Sequence, residues 1–376
     1  MERLRTEIGA AESDRDQLQR SIDRYYSRAI AAGLDVRDER DGHRLRWWRD
    51  AKRRGDLVIA DSLEAELRRG RLGDQLRWVG KLSLSTEPAG LPVRALRLVD
   101  QPDGRRTVDQ GQALDLGTTP VSAKELEAGS WLLRIETPDG FILDYPVYLE
   151  VDAHWGDSSF ANGRFADRDW TLRIADYQAV SADGLRPVPA GPYLASEPRV
   201  QRIREPVMTW RWEEGFGIAA DEASFADWFA FLSAVRKDGK VGLARLRQWL
   251  PQCWFRSSGP DQGLAQTPRA LIDSDTGPVV NPKTDPPADF DASAYPVAGL
   301  SVEVIDQFLR WQRKVQGESV ALPTASQWEK AARGVDGRRF GMGDFVDPSW
   351  AEIRGSTSDE SVHPVDAFPL DESVYG

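Results

Sequence analysis

Apolar residues near the start of the chain recur at the spacing of one helix face. From Leu18 onward they fall at Leu18, Ile22, Tyr25, Tyr26, Ala29 and Ile30. Gly33 is predicted to end this helix, and a polar turn over 38–43 to precede two more helices, the last closing at Gly70. We therefore predict a helical region over residues 1–75. A tetratricopeptide-like hairpin would fit it, although the sequence contains one copy of the period only.

From Lys81 the pattern becomes alternating. Tyr145, Val147, Leu149 and Val151 share one side of a predicted strand, and the residues between them share the other. Glycine and proline clusters interrupt the alternating runs every 8 to 15 residues or so, as they do between short antiparallel strands. This pattern predicts a small antiparallel β-sandwich over residues 78–153.

A third region mixes short strands with helices. We interpret the polar, glycine-containing stretch 154–168 as a connector or a long hairpin, and we predict a further unit over residues 165–376. Trp210 and Trp212 alternate on a predicted strand, whereas Val304, Phe308 and Trp311 follow helical spacing. The chain as a whole is therefore predicted to be α+β, with a helical start, a sandwich and a mixed third domain.

Charge and hydropathy narrow the class of protein. The formal net charge of −11 argues against nucleic acid as a partner, since phosphate binding requires a positive surface. No apolar run approaches the roughly 18 residues of a membrane span. The first residues are charged and have no apolar segment like that of a secretory signal, which predicts a cytoplasmic protein.

Cysteine and histidine usage excludes several kinds of site. The single cysteine, Cys253, cannot form an internal disulfide, a zinc site with several thiolates or a two-thiol redox centre. We interpret it as a buried, inert thiol beside Trp254. The three histidines, His43, His154 and His363, fall in different regions, so no iron site is predicted.

Two further groups are candidates for binding. One candidate calcium-binding loop contains three clustered aspartates, Asp285, Asp289 and Asp291. Their spacing is not that of an EF-hand, so we interpret them as a solvated loop. Among the 14 tryptophans, Trp210 and Trp212 are the pair expected to expose a ring, because aromatic residues are enriched at recognition surfaces. They form our candidate binding surface.

One segment carries a specific resemblance. Residues 321–334, Ala-Leu-Pro-Thr-Ala-Ser-Gln-Trp-Glu-Lys-Ala-Ala-Arg-Gly, resemble the Leu-Pro-Thr-Glu-x-Glu-Trp-Glu-x-Ala-Ala-Arg-Gly signature of the formylglycine-generating-enzyme (sulfatase-modifying-factor) family. Thr324 and Gln327 are spaced as a helix capping box, and Trp328 is expected to face the core with Ala331 and Ala332. The residues that we assign as structural parts of the family signature are Ser301, Thr324, Gln327, Trp328, Glu329, Arg333, Gly343 and Asp344.

Other segments extend the resemblance unevenly. Residues 188–193, 295–301 and 365–376 are similar to family segments, but Val302 and Leu309 stand where the family commonly has tryptophan and cysteine. In the family, the segment that would follow Gly376 supplies calcium ligands and the redox cysteine pair that binds copper. The resemblance therefore implies calcium or copper only if that segment exists, and it predicts no cofactor for the residues present.

The resemblance also implies an architecture. It implies a third domain, incomplete at its carboxy terminus, with a fold related to the C-type lectins. Residues 116–120 and 126–129 look like parts of a PEGA-type β-domain, and the order of the three regions resembles the tail of some bacterial serine/threonine kinases. No kinase motif occurs in the chain.

From these observations we expect a non-catalytic binding or scaffold protein of the kind used in bacterial signalling. Its partner would be a protein or a small ligand rather than nucleic acid. Two alternatives remain open at this point. One is a fragment of an active formylglycine-generating copper oxidase, and the other is a lectin-fold protein that displays loops to a ligand.

Overall fold

The computed structural model describes residues 2–53, 56–70, 72–196, 208–251, 254–256, 264–266, 293–316, 320–353 and 363–376. The helices are α1 (Glu2–Ala31), α2 (Arg37–Arg53), α3 (Leu57–Arg68), α4 (Phe160–Gly163), α5 (Ile174–Ala182), α6 (Phe225–Asp238), α7 (Leu243–Gln248), α8 (Val302–Gln316) and α9 (Ala325–Arg333). The strands are β1 (Val79–Glu87), β2 (Pro92–Asp100), β3 (Arg106–Thr118), β4 (Val121–Glu127), β5 (Gly129–Glu136), β6 (Ile142–Leu149), β7 (His154–Trp155), β8 (Thr171–Arg173), β9 (Arg186–Val188), β10 (Gly191–Ser196), β11 (Met208–Glu213), β12 (Phe216–Ile218), β13 (Trp254–Arg256) and β14 (Leu264–Gln266).

The chain forms two compact units. The smaller unit contains Met1–Lys81, Glu125–Ala128 and Glu150–Ala153. The larger unit contains Leu82–Lys124, Gly129–Leu149 and His154–Gly376. The larger unit therefore holds most of the sandwich strands together with everything that follows them.

The smaller unit is helical, and its turns differ in part from the prediction. Helix α1 spans Glu2–Ala31, and α2 runs through residues 38–43, so the polar turn predicted there is wrong. Asp38 and Glu39 lie in the first turn of α2, where the positive end of the helix favours carboxylates. Polar residues are thus compatible with a helix start here. The predicted third helix is confirmed as α3, which Asp56 caps by accepting the Ile59 amide at 3.1 Å.

The predicted antiparallel sandwich strands form two sheets. One sheet has the order β3-β2-β5-β6 and is antiparallel throughout. The other has the order β4-β1-β7, with β8 added in parallel to β1. The predicted alternation is confirmed for Tyr145, Val147 and Leu149, which are buried on β6, but Val151 lies in the turn after the strand and is half-buried, so its place in the alternation was wrong.

The outer face of the first sheet is covered as well. Leu96, Leu98 and Leu132 are buried on it, and Val374 from the end of the chain packs against them. This is why β5 contains consecutive buried residues instead of a simple alternation. The carboxy-terminal segment is thus part of the same packed body as the sandwich.

The stretch 154–168 is not a simple connector, and that interpretation was wrong. Its aromatic residues Trp155, Phe160 and Phe165 are buried. The Trp155 indole donates to the Tyr145 hydroxyl at 3.2 Å, and its ring meets that of Phe160 edge to face. Burial of these three rings outweighs the polarity of the residues between them.

The carboxy-terminal part, from β8 onward, surrounds a second core. Helices α6 and α8 pack together there through Trp228, Phe231 and Phe308, whose ring centroids lie 5.2 to 5.6 Å apart. Ser224 caps α6 in a reciprocal capping box with Asp227. Strands β10 and β11 pair in antiparallel fashion, and helix α9 packs on both of them.

Candidate functional site

A buried carboxylate joins the sandwich to the carboxy-terminal part. The Asp336 side chain is only 2% exposed. It accepts hydrogen bonds from the Ser130 hydroxyl at 2.7 Å and from Arg338 Nε and Nη2, both at 2.8 Å. Arg106 Nη1 donates to it at 3.2 Å. Ser130 and Arg106 belong to the sandwich, so the carboxylate connects two parts of the fold.

The charges around Asp336 keep it ionised. Burial alone would raise its pKa, but the guanidinium groups of Arg338 and Arg106, with the Ser130 hydroxyl, hold the pKa well below its usual range. A carboxylate that stays ionised at neutral pH does not serve as a general acid. Its four side-chain donors, together with the Arg338 amide at 3.3 Å, are those of a structural ion cluster.

Arg106 extends the cluster to the family-signature turn. Its guanidinium also donates to Asp100 at 2.7 Å and to Asp344 at 3.0 Å. Burial opposes the charge on Arg106, but the hydrogen bond to Asp100 and the charges of Asp336 and Asp344 raise its pKa. Asp344 in turn accepts the Arg339 amide at 3.0 Å. The signature aspartate therefore takes part in docking the sandwich.

Gly343 allows the sandwich and the carboxy-terminal part of the larger unit to approach each other closely. It forms a β-bridge with Arg105, and the Arg106 amide donates to the Met342 carbonyl at 2.7 Å. A Cβ atom at position 343 would lie 2.9 Å from the Gly104 carbonyl oxygen, and the residue has φ +145°. A side chain cannot be accommodated there without moving backbone, so glycine is required.

Helix α9 begins as its sequence predicts. Thr324 Oγ1 accepts the Gln327 amide at 3.1 Å, and Gln327 Oε1 accepts the Thr324 amide at 2.9 Å. This reciprocal capping box satisfies two donors that the first helical turn leaves unpaired. The cap fixes where the signature helix starts.

We expect Thr324→Ala to lower the free energy of unfolding by about 1 kcal/mol, because the Gln327 amide loses its acceptor. Thr324→Ser keeps a hydroxyl at the same place and is the matched control. Urea denaturation of the two variants and the wild type measures the difference. Equal losses in both variants would show that the hydroxyl does not cap the helix.

Two charged signature residues fix the helix to strand β10. Glu329 Oε1 accepts the Ser196 amide at 2.9 Å and the Arg333 Nη1 at 2.5 Å. Arg333 also donates to the Ser196 hydroxyl at 2.8 Å and to the Gly337 carbonyl at 3.2 Å. Both side chains are therefore engaged within the fold, between β10, α9 and the loop that follows.

Lys330 is the most deeply buried charge-bearing side chain of α9. It is 1% exposed, and its Nζ donates to the carbonyls of Pro189 at 2.6 Å and Gly191 at 3.1 Å. Burial lowers its pKa to about 7, while the carboxylates of Glu213 and Glu214 act in the opposite direction. A neutral amine has two N–H groups, which matches these two acceptors.

Trp328 does not face the core, and that prediction was wrong. Its side chain is 60% exposed, while Ala331 is buried. The buried side of α9 is instead formed by Lys330, Ala331 and Gly334, because the capping box and the bonds of Lys330 set the rotation of the helix. The tryptophan therefore lies on the solvent side.

Trp210 and Trp212 take part in an aromatic cluster. The Trp210 ring lies 4.9 Å from Phe160 and 6.0 Å from Trp155, and the Trp212 ring lies 4.9 Å from Trp170. Both tryptophans are half-buried. The pair thus shows part of its surface, and its use for binding stays a prediction.

A serine and a histidine lie together elsewhere in the sandwich. Ser83 Oγ lies 2.8 Å from His154 Nε2, and His154 Nδ1 lies 3.9 Å from Asp157 Oδ2. The second distance is too long for a hydrogen bond, and Ser83 Oγ already accepts the Ala123 amide at 3.1 Å. These contacts link neighbouring segments of the sandwich, and they do not have the geometry that activates a serine nucleophile.

The part of the chain that the structure describes contains no cluster of potential metal ligands. No group of three or more potential ligands is placed to hold an ion among those residues. Two of the histidines already have partners within the fold. His43 Nε2 lies 3.3 Å from the Gln19 carbonyl oxygen, and burial lowers the pKa of this histidine. His363 Nδ1 lies 3.0 Å from Glu352 Oε1. The predicted inert thiol and the candidate calcium loop lie outside the described residues, at Cys253 and at Asp285, Asp289 and Asp291.

Comparison with protein families gives one assignment. Residues 174–376 match the sulfatase-modifying factor enzyme 1-like domain. A comparison with curated proteins gives no match. None of the helices in the described residues is long and apolar enough to cross a bilayer. The domain match covers more than half of the chain and includes every signature residue discussed above, so the protein belongs to the family of the sulfatase-modifying factor enzyme 1-like domain.

Proposed function

We propose that the protein is a non-catalytic binding or scaffold protein built on a degenerate formylglycine-generating-enzyme-like domain. The observation that carries the proposal is the single cysteine in 376 residues. Copper oxidation of the formylglycine type requires two thiolates close enough to share a soft metal ion. The residues present supply one, so this chemistry cannot be assembled from them.

The bonding of the signature residues supports the same proposal. Glu329, Arg333 and Asp344 each bond to other parts of the domain, as described above. Polar groups held this way stabilise a framework, and they are not free to bind or activate a substrate. The signature helix therefore serves the fold.

The contacts between the family domain and the sandwich suggest what this structural framework does. Asp336 and Gly343 tie the sandwich to the family domain through a buried ion cluster and a β-bridge, and together the two parts form a platform. We propose that the sandwich, as a PEGA-like module, presents this platform to a protein partner or a small ligand in the cytoplasm, in a bacterial signalling context. The described residues are proposed to act without a resident cofactor.

An oxidation assay separates this proposal from its main rival, an active copper oxidase. The full chain is incubated with copper, oxygen and a cysteine-containing peptide, while oxygen uptake and conversion of the cysteine to formylglycine are followed by electrode and mass spectrometry. We expect no conversion above the rate without protein, and the same for Cys253→Ser. Conversion by the wild type that Cys253→Ser abolishes would overturn the proposal.

A second experiment locates the binding surface. Partner capture is compared for the wild type, Trp328→Ala and Trp212→Ala, with thermal melts of each as a check of folding. The candidate surface is that of Trp210 and Trp212, so Trp212→Ala is expected to reduce capture, whereas Trp328→Ala, at an exposed tryptophan outside that surface, is expected to leave the melt and the capture unchanged. Loss in Trp328→Ala alone would place the surface on α9 instead. Capture that is absent from the wild type, for proteins and small ligands alike, would contradict a binding role.

A further inference from the structure

The outer face of the sheet β3-β2-β5-β6 changes from apolar to charged along its strands. Leu96 lies opposite Leu132 on β5, and two residues earlier on β2 Arg94 lies opposite Arg134. At this charged end the face has a pocket of about 350 Å³, lined by Pro92, Arg94, Asp115, Arg134 and Glu136. All of the lining residues except the proline carry a charge, so a ligand there would be recognised through charged groups.

Two arginines are neighbours in the middle of this pocket. The Cβ atoms of directly opposed residues on adjacent strands lie about 4.5 to 5.5 Å apart, and like charges at that spacing destabilise a sheet. Arg134 is compensated, because its Nε and Nη2 donate to the two carboxylate oxygens of Asp144 at 2.9 and 2.8 Å. Arg94 is exposed, and in the part of the chain that the structure describes it makes no ion pair and no side-chain hydrogen bond.

A β-bulge engages the carboxylate that could have neutralised Arg94. Asp115 lies opposite Arg94 on β3, but its Oδ1 accepts the Gly117 amide at 2.8 Å. A register shift between Pro92 and Arg94 leaves Leu116 and Gly117 together opposite a single residue, and Gly117 has φ +81°. Bulges of this kind re-aim side chains and are frequent beside functional sites. The Arg94 guanidinium is therefore left available to a ligand.

We propose that this pocket binds a small α-amino acid in its zwitterionic form. Arg94 presents its N–H donors in a planar fork that matches the two oxygens of a carboxylate. Glu136 follows Arg134 by two residues on β5, so both lie on the same face of the sheet. The Glu136 carboxylate makes no hydrogen bond or ion pair with the other described residues, and it supplies the acceptor for the ammonium group of the ligand.

The mixture of charges distinguishes a zwitterion from other small ligands. A multiply charged anion such as phosphate would be repelled by Asp115 and Glu136 while the arginines attract it. A carboxylate without an ammonium group leaves Glu136 unpaired, and an amine without a carboxylate leaves Arg94 unpaired. The volume is at the low end of the range for ligand pockets, which limits the side chain of the amino acid to a small one. This inference does not depend on whether the family domain is catalytic.

Saturation-transfer difference NMR of the full chain tests the site with L-alanine as the probe. N-acetyl-L-alanine keeps the carboxylate but has no ammonium group, and L-alanine methyl ester keeps the ammonium group but has no carboxylate. We expect L-alanine to bind at least about tenfold more tightly than either analogue and than inorganic phosphate. Absence of L-alanine binding, or equal binding of phosphate or of either analogue, would overturn the proposal.

Substitutions locate the site. Arg94→Gln and Glu136→Gln should each weaken L-alanine binding at least about tenfold, because each removes one of the two charges that hold the zwitterion. Both positions are exposed, so thermal melts should be unchanged. Arg20→Gln, at an exposed arginine of α1, is the matched control and should bind as the wild type does. L-alanine binding that persists undiminished in Arg94→Gln would show that the amino acid binds elsewhere and would overturn the assignment.

Discussion

Replacement of Asp336 by asparagine should lower the free energy of unfolding of the larger unit by about 3 to 5 kcal/mol. The substitution preserves shape but removes the charge that faces Arg338 and Arg106, which are both largely buried. Two cations would then remain in a poorly solvated place without their shared carboxylate. Urea denaturation followed by circular dichroism and tryptophan fluorescence measures the loss.

Asp100→Asn is the matched control, because Asp100 pairs with the same Arg106 but has a side chain that is 62% exposed. An exposed pair contributes at most about 1 kcal/mol, so this variant should be only slightly destabilised. The pH dependence supplies a second test. The folded-state pKa of Asp336 is depressed, so its contribution is present above pH 4 or so and is lost as the pH falls. If Asp336→Asn loses no more than Asp100→Asn, the buried cluster is not what holds the junction.

Lys330→Met should change how stability depends on pH. The folded protein releases the Lys330 proton at about pH 7, whereas an unfolded lysine holds it to about pH 10.4. Between these values the unfolded state binds one more proton, so this residue makes stability rise with pH by up to about 1.4 kcal/mol per unit. The free energy of unfolding of the wild type, minus that of Lys330→Met, should therefore increase from pH 7 to pH 10.

The comparison isolates Lys330, because all other titrating groups are shared by the two proteins. Lys124→Met removes a lysine from an exposed position and serves as the control for loss of a positive charge. The difference between wild type and Lys124→Met should show no comparable slope. A flat difference for Lys330→Met would mean that the two carbonyl acceptors hold the lysine in its charged form throughout this range.

Local patterns in the sequence were sufficient for much of the fold. The capping box of Thr324 and Gln327 could be predicted because both partners lie within one helical turn. The alternation in β6 could be predicted because a strand with one buried face repeats every two residues. The family assignment of the carboxy-terminal part followed from a signature of similar local character.

Features that depend on distant contacts could not be predicted. Trp328 looked like a core residue by spacing, but the rotation of α9 is set by Lys330, whose acceptors lie about 140 residues earlier in the chain. Periodicity shows that a helix has a buried face, but it does not distinguish two faces that are rotated by one residue from each other. That choice depends on the element against which the helix packs. A lysine is also the residue type that sequence reasoning assigns to solvent.

The junction around Asp336 was missed for the same reason. Asp336 and Ser130 are 206 residues apart, and neither belongs to a recognisable motif. The buried aromatic residues of 154–168 were hidden among polar neighbours, so the segment was interpreted as a connector.

The glycine at position 343 has a consequence for the history of the gene. Domains usually recombine as independent modules when few contacts cross their boundary. Here a recombination event between the sandwich and the family domain would remove the backbone that fits against Gly343, and it would separate Asp336 from Arg106 and Ser130. The two segments are therefore constrained to be inherited together, and the unit of exchange between genes is the sandwich and the family domain as one piece.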